Sequence, residues 1–199
     1  MKKSEKKTFD KVHMHYDNFM KIFNLYRGKE ISDILNLKGD EKILDIGGGT
    51  GYLAKYLNTK CKEIYVLDES EDMLSHVKEK ENIHKVVCDA LDLKINDESM
   101  DIVILSDVFH HIKDQNKLMD ESFRVLKYGG RVLIHDFDIS HKRTKILRCF
   151  ERVLFGKLYF KTIDEVINIL ESRFYLTTKK ERGYYFILVG EKKGGLNDK

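Results

Sequence analysis

Hydrophobic positions along the chain change their spacing from one segment to the next. Residues 9–37 carry apolar side chains at helical spacing, which predicts an N-terminal helical segment with one buried face. After a turn at Gly39 and Asp40, short apolar runs alternate with helical patterns, as in a parallel sheet with crossover helices. The strands are predicted at 42–46, 63–67, 83–88, 101–105 and 131–135, and the helices between them at 52–57, 71–80 and 114–126.

The pattern changes again in the last third of the chain. Gly129 and Gly130 are expected to close the helix before them, and a further helix is predicted at 141–155. Thr162 and Glu165 have the spacing of a capping box, so another helix is expected to begin there.

Two final apolar runs, 174–180 and 184–189, are separated by three residues, a gap that predicts an antiparallel hairpin. The sequence therefore predicts an α/β fold in which five parallel strands are followed by a reversed pair. In such sheets ligands bind at the carboxyl ends of the strands.

Composition adds limits on the class of protein. The 199 residues are 42% hydrophobic, which fits one globular domain, and 36 Lys and Arg against 33 Asp and Glu give a net charge of only +3. The overall charge therefore predicts neither a nucleic-acid surface nor a membrane surface. Three cysteines, Cys61, Cys88 and Cys149, lack metal-ligand spacing, so we expect no metal site and a cytoplasmic protein without disulfides. No signal segment or membrane span is expected, because the longest apolar run, 184–189, is short.

The chemistry is expected at a glycine-rich turn after the first strand. Gly47, Gly48, Gly49 and Gly51 lie between a strand and a helix, where glycines let the backbone approach a ligand closely. A tight turn alone would explain one or two of them. Four glycines in five residues favour a nucleotide-type ligand.

The glycine spacing leaves two cofactors open. Gly49, Gly51 and Ala54 also fit the dinucleotide fingerprint, and Asp68 follows Gly49 by 19 residues, which would suit a NAD(P)-linked oxidoreductase. Asp45 favours the other reading. A carboxylate directly before the glycines attracts a cofactor that carries ammonium and sulfonium charges and repels a pyrophosphate.

Five segments in order resemble the motifs of class I S-adenosylmethionine-dependent methyltransferases: ILDIGGGTG, YVLDESEDML, VVCDALDL, DIVILSDVFHHI and FRVLKYGGRVLIHDFD. The resemblance covers about residues 9–189. Phe9, Asp10, Tyr16 and Asp17 resemble the segment that precedes the core in small-molecule methyltransferases such as the ubiquinone and menaquinone C-methyltransferases. The resemblance implies a Rossmann-like doubly wound sheet of seven strands, mainly parallel, with a C-terminal reversed hairpin and an N-terminal helical lid.

The same resemblance implies the site residues. Asp45 would bind near the amino group of S-adenosylmethionine, Asp68 would accept hydrogen bonds from both ribose hydroxyls, and Met73 would pack on the adenine, although a core methionine is an equal reading. Asp89 and Ala90 would bind the adenine edge, with Asp92 as the rival of Asp89. The expected cofactor-binding residues are Asp45, Gly47, Gly49, Gly51, Asp68, Met73, Asp89, Ala90 and Ser106.

Two residues are predicted to be catalytic. His110 follows the fourth strand, where acceptor and methyl group should meet, and histidine titrates near neutrality; packing is the alternative role, and His111 is expected to be structural. Tyr16 is expected on the lid. The N-terminal helix and the insertion 136–161 would cover the acceptor. The basic segment 141–161 within this insertion carries an apolar stripe, which leaves open core packing, an anionic membrane or an acidic acceptor.

The sequence thus predicts one methyltransferase domain, 1–199, divided into a lid (1–38), a cofactor-binding core (39–136), a helical insertion (137–172) and a hairpin (173–190). The expected reaction is methylation of a small-molecule acceptor, hydrophobic and quinone-like, that yields S-adenosylhomocysteine. An RNA or other anionic substrate, the oxidoreductase, and a non-catalytic cofactor-binding protein stay open as alternatives. A nucleic-acid partner is not expected, and the oligomeric state is not determined by the sequence.

Overall fold

The computed structural model describes residues 27–194. The helices in chain order are α1 Gly28–Leu35, α2 Tyr52–Leu57, α3 Glu71–Ser75, α4 Gln115–Val125, α5 Lys142–Phe155 and α6 Ile163–Glu171. The strands are β1 Lys42–Ile46, β2 Glu63–Asp68, β3 Ile83–Val87, β4 Met100–Ser106, β5 Leu126–Phe137, β6 Phe174–Glu181 and β7 Tyr185–Lys192. A short 3₁₀ turn, Phe109–His111, follows β4.

All seven strands form one sheet in the order β3-β2-β1-β4-β5-β7-β6. β1 to β5 pair in parallel, and β7 pairs antiparallel with both β5 and β6. The prediction of a mainly parallel, doubly wound sheet with a C-terminal hairpin is confirmed. Among the strands of residues 27–194, β7 is the one that runs antiparallel to the others, because β6 keeps the direction of β1 to β5. Of the predicted reversed pair, only β7 is therefore reversed. The strand order reverses between β1 and β4, so the ligand crevice is expected there.

The strands of the sheet centre are apolar on both faces. Ile43, Ile102 and Ile104 pack into the core on one side, and Leu44 and Val103 pack into the core on the other. All five are at most 1% exposed. Because neighbouring side chains of a strand point to opposite faces, helices must cover both faces of the sheet, and the apolar runs of the sequence are continuous rather than alternating.

The structure corrects two helix ends. The helix predicted at 71–80 ends at Ser75. The helix predicted at 114–126 ends at Val125. Gly129 and Gly130 do not end this helix, as the sequence analysis expected, but lie inside β5. Met100 pairs with Leu126 and Ile102 with Arg131, so the four residues 127–130 of β5 lie opposite the single residue Asp101 of β4. The glycines belong to this bulge, where Gly129 has a φ of +73°.

The capping box is confirmed. The Thr162 hydroxyl accepts a hydrogen bond from the Glu165 N–H, and the Glu165 carboxylate accepts one from the Thr162 N–H, at the start of α6. The predicted lid, 1–38, falls mostly outside the described residues, which include only α1 and its flanks. Within residues 27–194, no helix combines the length and the apolar character that a membrane span requires.

Candidate active site

A cavity of about 400 Å³ opens at the carboxyl ends of β1, β2 and β4, on both sides of the point where the strand order reverses. Its volume lies within the range of about 300–1,000 Å³ that small-molecule sites occupy. Eight of the nine predicted cofactor residues line it: Asp45, Gly47, Gly49, Asp68, Met73, Asp89, Ala90 and Ser106. The ninth, Gly51, does not line the cavity. It precedes α2 at a φ of +72° and packs against Val77.

The glycine turn forms the floor of the cavity. Gly47 and Gly48 both donate backbone hydrogen bonds to the Leu67 carbonyl, at 2.8 and 3.0 Å, so the turn is anchored to β2. A Cβ on Gly48 would lie 2.8 Å from Asp45 Oδ2 and 2.7 Å from a Val66 methyl. Close packing therefore requires glycine at position 48. Gly47 and Gly49 also adopt a positive φ, which favours glycine at those positions.

Asp45 is buried behind this turn with one oxygen unsatisfied. The residue is 2% exposed, and Oδ2 has no hydrogen-bond partner among residues 27–194. Burial, and then repulsion by the Asp68 charge, raises the pKa of Asp45 to about 7. A cationic group in the cavity would compensate this carboxylate, so the residue fits a cofactor that carries ammonium and sulfonium charges.

Asp68 ends β2 at the cavity wall and holds two backbone segments. Its Oδ2 accepts a hydrogen bond from Gly49 N at 3.0 Å, and its Oδ1 accepts one from Ser70 N at 2.9 Å. Asp68 does not cap α3; Ser70 does, because its hydroxyl accepts the hydrogen bond from Met73 N at the start of that helix. Each carboxylate oxygen has more than one lone pair, so Asp68 can still accept hydrogen bonds from a diol.

The two aspartates that follow β3 have different surroundings. Asp89 lines the cavity, and its Oδ1 accepts a hydrogen bond from Leu91 N at 2.8 Å. Asp92 instead forms an exposed ion pair with Lys94 at 2.6 Å and does not line the cavity. The structure therefore favours Asp89 over its rival. Met73 is only 6% exposed and also lines the cavity. Its position is therefore compatible with both roles given above, packing in the core and packing on the adenine.

Ser106 reaches the cavity from the end of β4. Its Oγ lies 3.0 Å from Nδ1 of His135 on the neighbouring strand β5. Burial lowers the pKa of His135 to about 4, so its imidazole is neutral near pH 7. This contact fixes the Ser106 side chain without adding a charge to the cavity.

Of the two histidines after β4, His111 lines the cavity and His110 does not, whereas the sequence analysis expected His110 beside the acceptor. His110 is 1% exposed and does not line the cavity; its Nδ1 lies 2.7 Å from Asp136 Oδ1 and its Nε2 3.2 Å from Glu151 Oε2 on α5. Burial lowers the pKa of His110, but the two carboxylates outweigh it and raise that pKa well above its usual value. His111 lines the cavity instead, and burial together with His110 lowers its pKa. A catalytic role for His110 stays a prediction, and Tyr16 lies outside the described residues.

The sequence analysis did not name seven further residues of the cavity wall: Arg27, Tyr52, Ile112, Lys113, Phe155, Lys157 and Tyr159. Phe155 ends α5, and Tyr159 belongs to the connection between α5 and α6. Two hydrogen bonds hold this connection in place. Tyr159 N donates to the His110 carbonyl at 2.7 Å, and Gln115 Nε2 donates to the Tyr159 carbonyl at 2.9 Å. The available signal was the length of the 137–172 insertion, which does not say which of its side chains face inward.

Comparison with known proteins agrees with this geometry. A family model described as a methyltransferase domain matches residues 44–134. The ubiquinone/menaquinone biosynthesis C-methyltransferase of Pasteurella multocida is 30% identical, over 87% of this chain and 71% of that protein. The demethylmenaquinone methyltransferase of Clavibacter sepedonicus is 31% identical over 65% of this chain, which spans 56% of that relative. An uncharacterized Methanocaldococcus jannaschii protein is 30% identical over 83% of this chain.

Solved structures show the same fold at lower identity. A methyltransferase from Aquifex aeolicus, described as dependent on S-adenosylmethionine, superposes with a TM-score of 0.71 at 21% identity, over 97% of this chain and 100% of that one. One from Thermotoga maritima gives a TM-score of 0.75 at 18% identity, over 94% and 99%. With the relatives above, this chain belongs to the class I S-adenosylmethionine-dependent methyltransferases, and its cofactor is S-adenosylmethionine.

Proposed function

We propose that this chain methylates a small hydrophobic acceptor of the quinone type and releases S-adenosylhomocysteine. The observation that carries the proposal is that two chemically different groups of residues line one cavity. The group at the glycine turn consists of backbone and carboxylates, among them the buried Asp45. The other group, which we call the acceptor end, includes Ile112, Phe155 and Tyr159. A charged cofactor and an apolar acceptor each find matching chemistry there.

In this proposal the first group binds the cofactor. Asp45 would balance the cationic charge, and Asp68 would accept hydrogen bonds from the ribose hydroxyls. Asp89 and Ala90 would contact the adenine edge and Met73 its face. When bound, the cofactor supplies a sulfonium methyl that is already activated for in-line displacement. The remaining task of the chain is to exclude water and to align the acceptor, and alignment can supply roughly 7 to 11 kcal/mol in favourable models.

The acceptor end adds two amines to its apolar wall. Lys113 and Lys157 lie on the cavity rim, and Lys157 Nζ is 5.4 Å from the centre of the Tyr159 ring. Ammonium groups beside the cavity favour the ionised hydroxyl of a hydroquinone, whose ring carbon is then a better nucleophile. His110 is enclosed by two carboxylates, so in this proposal it orders the 3₁₀ turn and does not touch the acceptor.

Helix α5 supports an acceptor that comes from a lipid phase. Its outward face carries Ile146, Phe150 and Val153, which are 57, 54 and 85% exposed. Lys142 and Lys145 are exposed on the same helix, whose acid Glu151 is buried. Apolar side chains flanked by cations match an anionic bilayer, so we propose that α5 is the contact with the membrane. The cytoplasmic location also stays a proposal; it fits three cysteines that form no disulfide in residues 27–194.

Binding and turnover test the proposal separately. The purified chain is first titrated calorimetrically with S-adenosylmethionine, S-adenosylhomocysteine and NADH, and we expect micromolar binding of the first two only. Transfer of labelled methyl groups is then measured with a reduced, demethylated menaquinone analogue and, in parallel, with total RNA. Transfer to the quinol supports the proposal. Transfer to RNA alone would show the anionic-substrate alternative, and cofactor binding without transfer to a broad panel of acceptors would show a non-catalytic binder.

A further inference from the structure

A second cluster of chemically active side chains adjoins the acceptor end of the cavity. We call it the histidine–carboxylate cluster: His110, His111 and Glu151, with Asp136 behind them. One ligand atom from each of the first three lies within 4.8 Å of the others. The histidines come from the 3₁₀ turn after β4 and Glu151 from α5, so the fold brings together residues 40 positions apart.

Two buried atoms of the cluster have only each other as a polar partner within residues 27–194. The side chains of His110 and Glu151 are 1% and 3% exposed, and neither His110 Nε2 nor Glu151 Oε2 makes an aligned hydrogen bond within the described part of the chain. These two atoms are 3.2 Å apart. Ligand atoms at about 2.0 to 2.1 Å from a tetrahedral ion are about 3.3 to 3.4 Å apart, so the pair has the spacing of two metal ligands.

The surroundings of His110 are those of a metal-binding imidazole. Its Nδ1 lies 2.7 Å from Asp136 Oδ1, and its backbone N–H donates to Asp136 Oδ2 at 3.0 Å. A carboxylate in this place holds the proton on Nδ1, orients the ring and leaves Nε2 to bind the ion. Phe160 stacks on the imidazole with ring centres 4.1 Å apart and shields it from water.

We propose that His110, His111 and Glu151 bind a divalent transition-metal ion, for which Zn²⁺ is the best match. Two imidazoles and one carboxylate with an open fourth position form a set that zinc accepts, whereas Mg²⁺ and Ca²⁺ prefer oxygen ligands throughout. His111 lies on the cavity wall, so the open position faces the acceptor end. An ion there would bind an oxygen of the acceptor and lower its pKa. The proposal does not depend on the identity of the acceptor.

Metal binding is tested with the full chain. His13 and His15, two histidines in close sequence, are first replaced by alanine in every sample so that they do not bind the probe themselves. The chelator-treated protein is titrated with Zn²⁺ against a chromophoric competitor and with Co²⁺ by visible absorption. We expect one equivalent of either ion per chain, and a rise in the unfolding temperature when Zn²⁺ is added.

Three variants assign the site. Glu151→Gln and His111→Ala should each weaken Zn²⁺ binding at least about tenfold. His141→Ala is the matched control, because His141 is exposed at the start of α5 and is not one of the three candidate ligands. The Zn²⁺ affinity of this variant should match that of the parent. Where Glu151→Gln does not fold, judged by circular dichroism, His111→Ala decides.

Two results would overturn the proposal: a parent chain without stoichiometric Zn²⁺ binding, or Zn²⁺ binding that both variants retain. A proton held between His110 Nε2 and Glu151 Oε2 would then account for their distance of 3.2 Å. S-adenosylhomocysteine is titrated into the same samples. Its binding without Zn²⁺ binding removes only the metal site, whereas Zn²⁺ binding without cofactor binding removes only the proposed function.

Discussion

Replacing Asp45 with asparagine should stabilise the fold and weaken cofactor binding, because the buried charge of Asp45 affects these two properties in opposite directions. The carboxylate is 2% exposed, and its Oδ2 has no hydrogen-bond partner in residues 27–194. Burial first and the Asp68 charge second raise the pKa of Asp45 from 3.8 to about 7. An acid that is more basic in the folded than in the unfolded chain destabilises the fold wherever it is ionised. Without cofactor, the contribution of Asp45 to the free energy of unfolding should therefore fall as the pH rises from about 4 to about 7.

The magnitude follows from the two pKa values. They differ by about three pH units, and each unit corresponds to 1.36 kcal/mol, so the ionised Asp45 costs the fold at most about 4 kcal/mol above pH 7. Below the unfolded pKa both states are protonated and the cost vanishes. Asp45→Asn carries no charge at any pH. Its gain in unfolding free energy over the parent should rise from at most about 2 kcal/mol at pH 5 to at most about 4 kcal/mol at pH 8.

Urea unfolding at pH 5 and pH 8 measures this gain, and Asp40→Asn, at an exposed turn, controls for loss of a surface carboxylate. Calorimetry with S-adenosylmethionine on the same proteins should show affinity that is weaker by about 1.5 to 3 kcal/mol in Asp45→Asn, because a charged partner of the cofactor is lost. Stability and binding would thus move in opposite directions. A gain of equal size at both pH values, or a variant less stable than the parent at pH 8, refutes the reasoning.

Three further predictions concern the cavity and its surroundings. Asp68→Ala should weaken S-adenosylhomocysteine binding by about 1.5 to 3 kcal/mol in calorimetry, and an unchanged affinity would remove Asp68 from the site. Gly48→Ala should lower the free energy of unfolding in urea by about 1 to 3 kcal/mol, because the added Cβ would lie 2.8 Å from Asp45 Oδ2; a variant as stable as the parent would contradict this packing. Val153→Glu should abolish sedimentation with anionic vesicles and leave cofactor affinity unchanged; vesicle binding equal to that of the parent argues against α5 as the membrane contact.

The cofactor end of the cavity could be predicted because its chemistry is local in the chain. Asp45, Gly47 and Gly49 lie within five residues, and the strand that carries them must end where the turn begins. Asp68 and Asp89 follow the next two strands in the same way. Once the strands are parallel, their carboxyl ends meet at one edge, so residue order alone brings these side chains together. Gly51 shows the limit, since the same motif uses it to turn the backbone and not to line the cavity.

The acceptor end could not be predicted because its geometry depends on contacts between distant segments. His110 and His111 are adjacent in the chain, and the 3₁₀ turn decides that His111 faces the cavity while His110 is enclosed by Asp136 and Glu151. Tyr159 reaches the wall because Gln115, 44 residues earlier, binds its carbonyl. The spacing of apolar residues predicts that a helix has a buried face, but it does not predict which residues that face contacts.

The sequence by itself thus determined the order of strands and helices, the hairpin, the capping box and the position of the cofactor motifs, since each depends on residues close together in the chain. Only the tertiary structure decided that Gly129 and Gly130 form a bulge in β5, that Asp45 is buried with an unsatisfied oxygen, and that Glu151 meets His110. The physical reason is the same for all three. Burial and charge coupling arise from contacts between segments, and no local pattern records them.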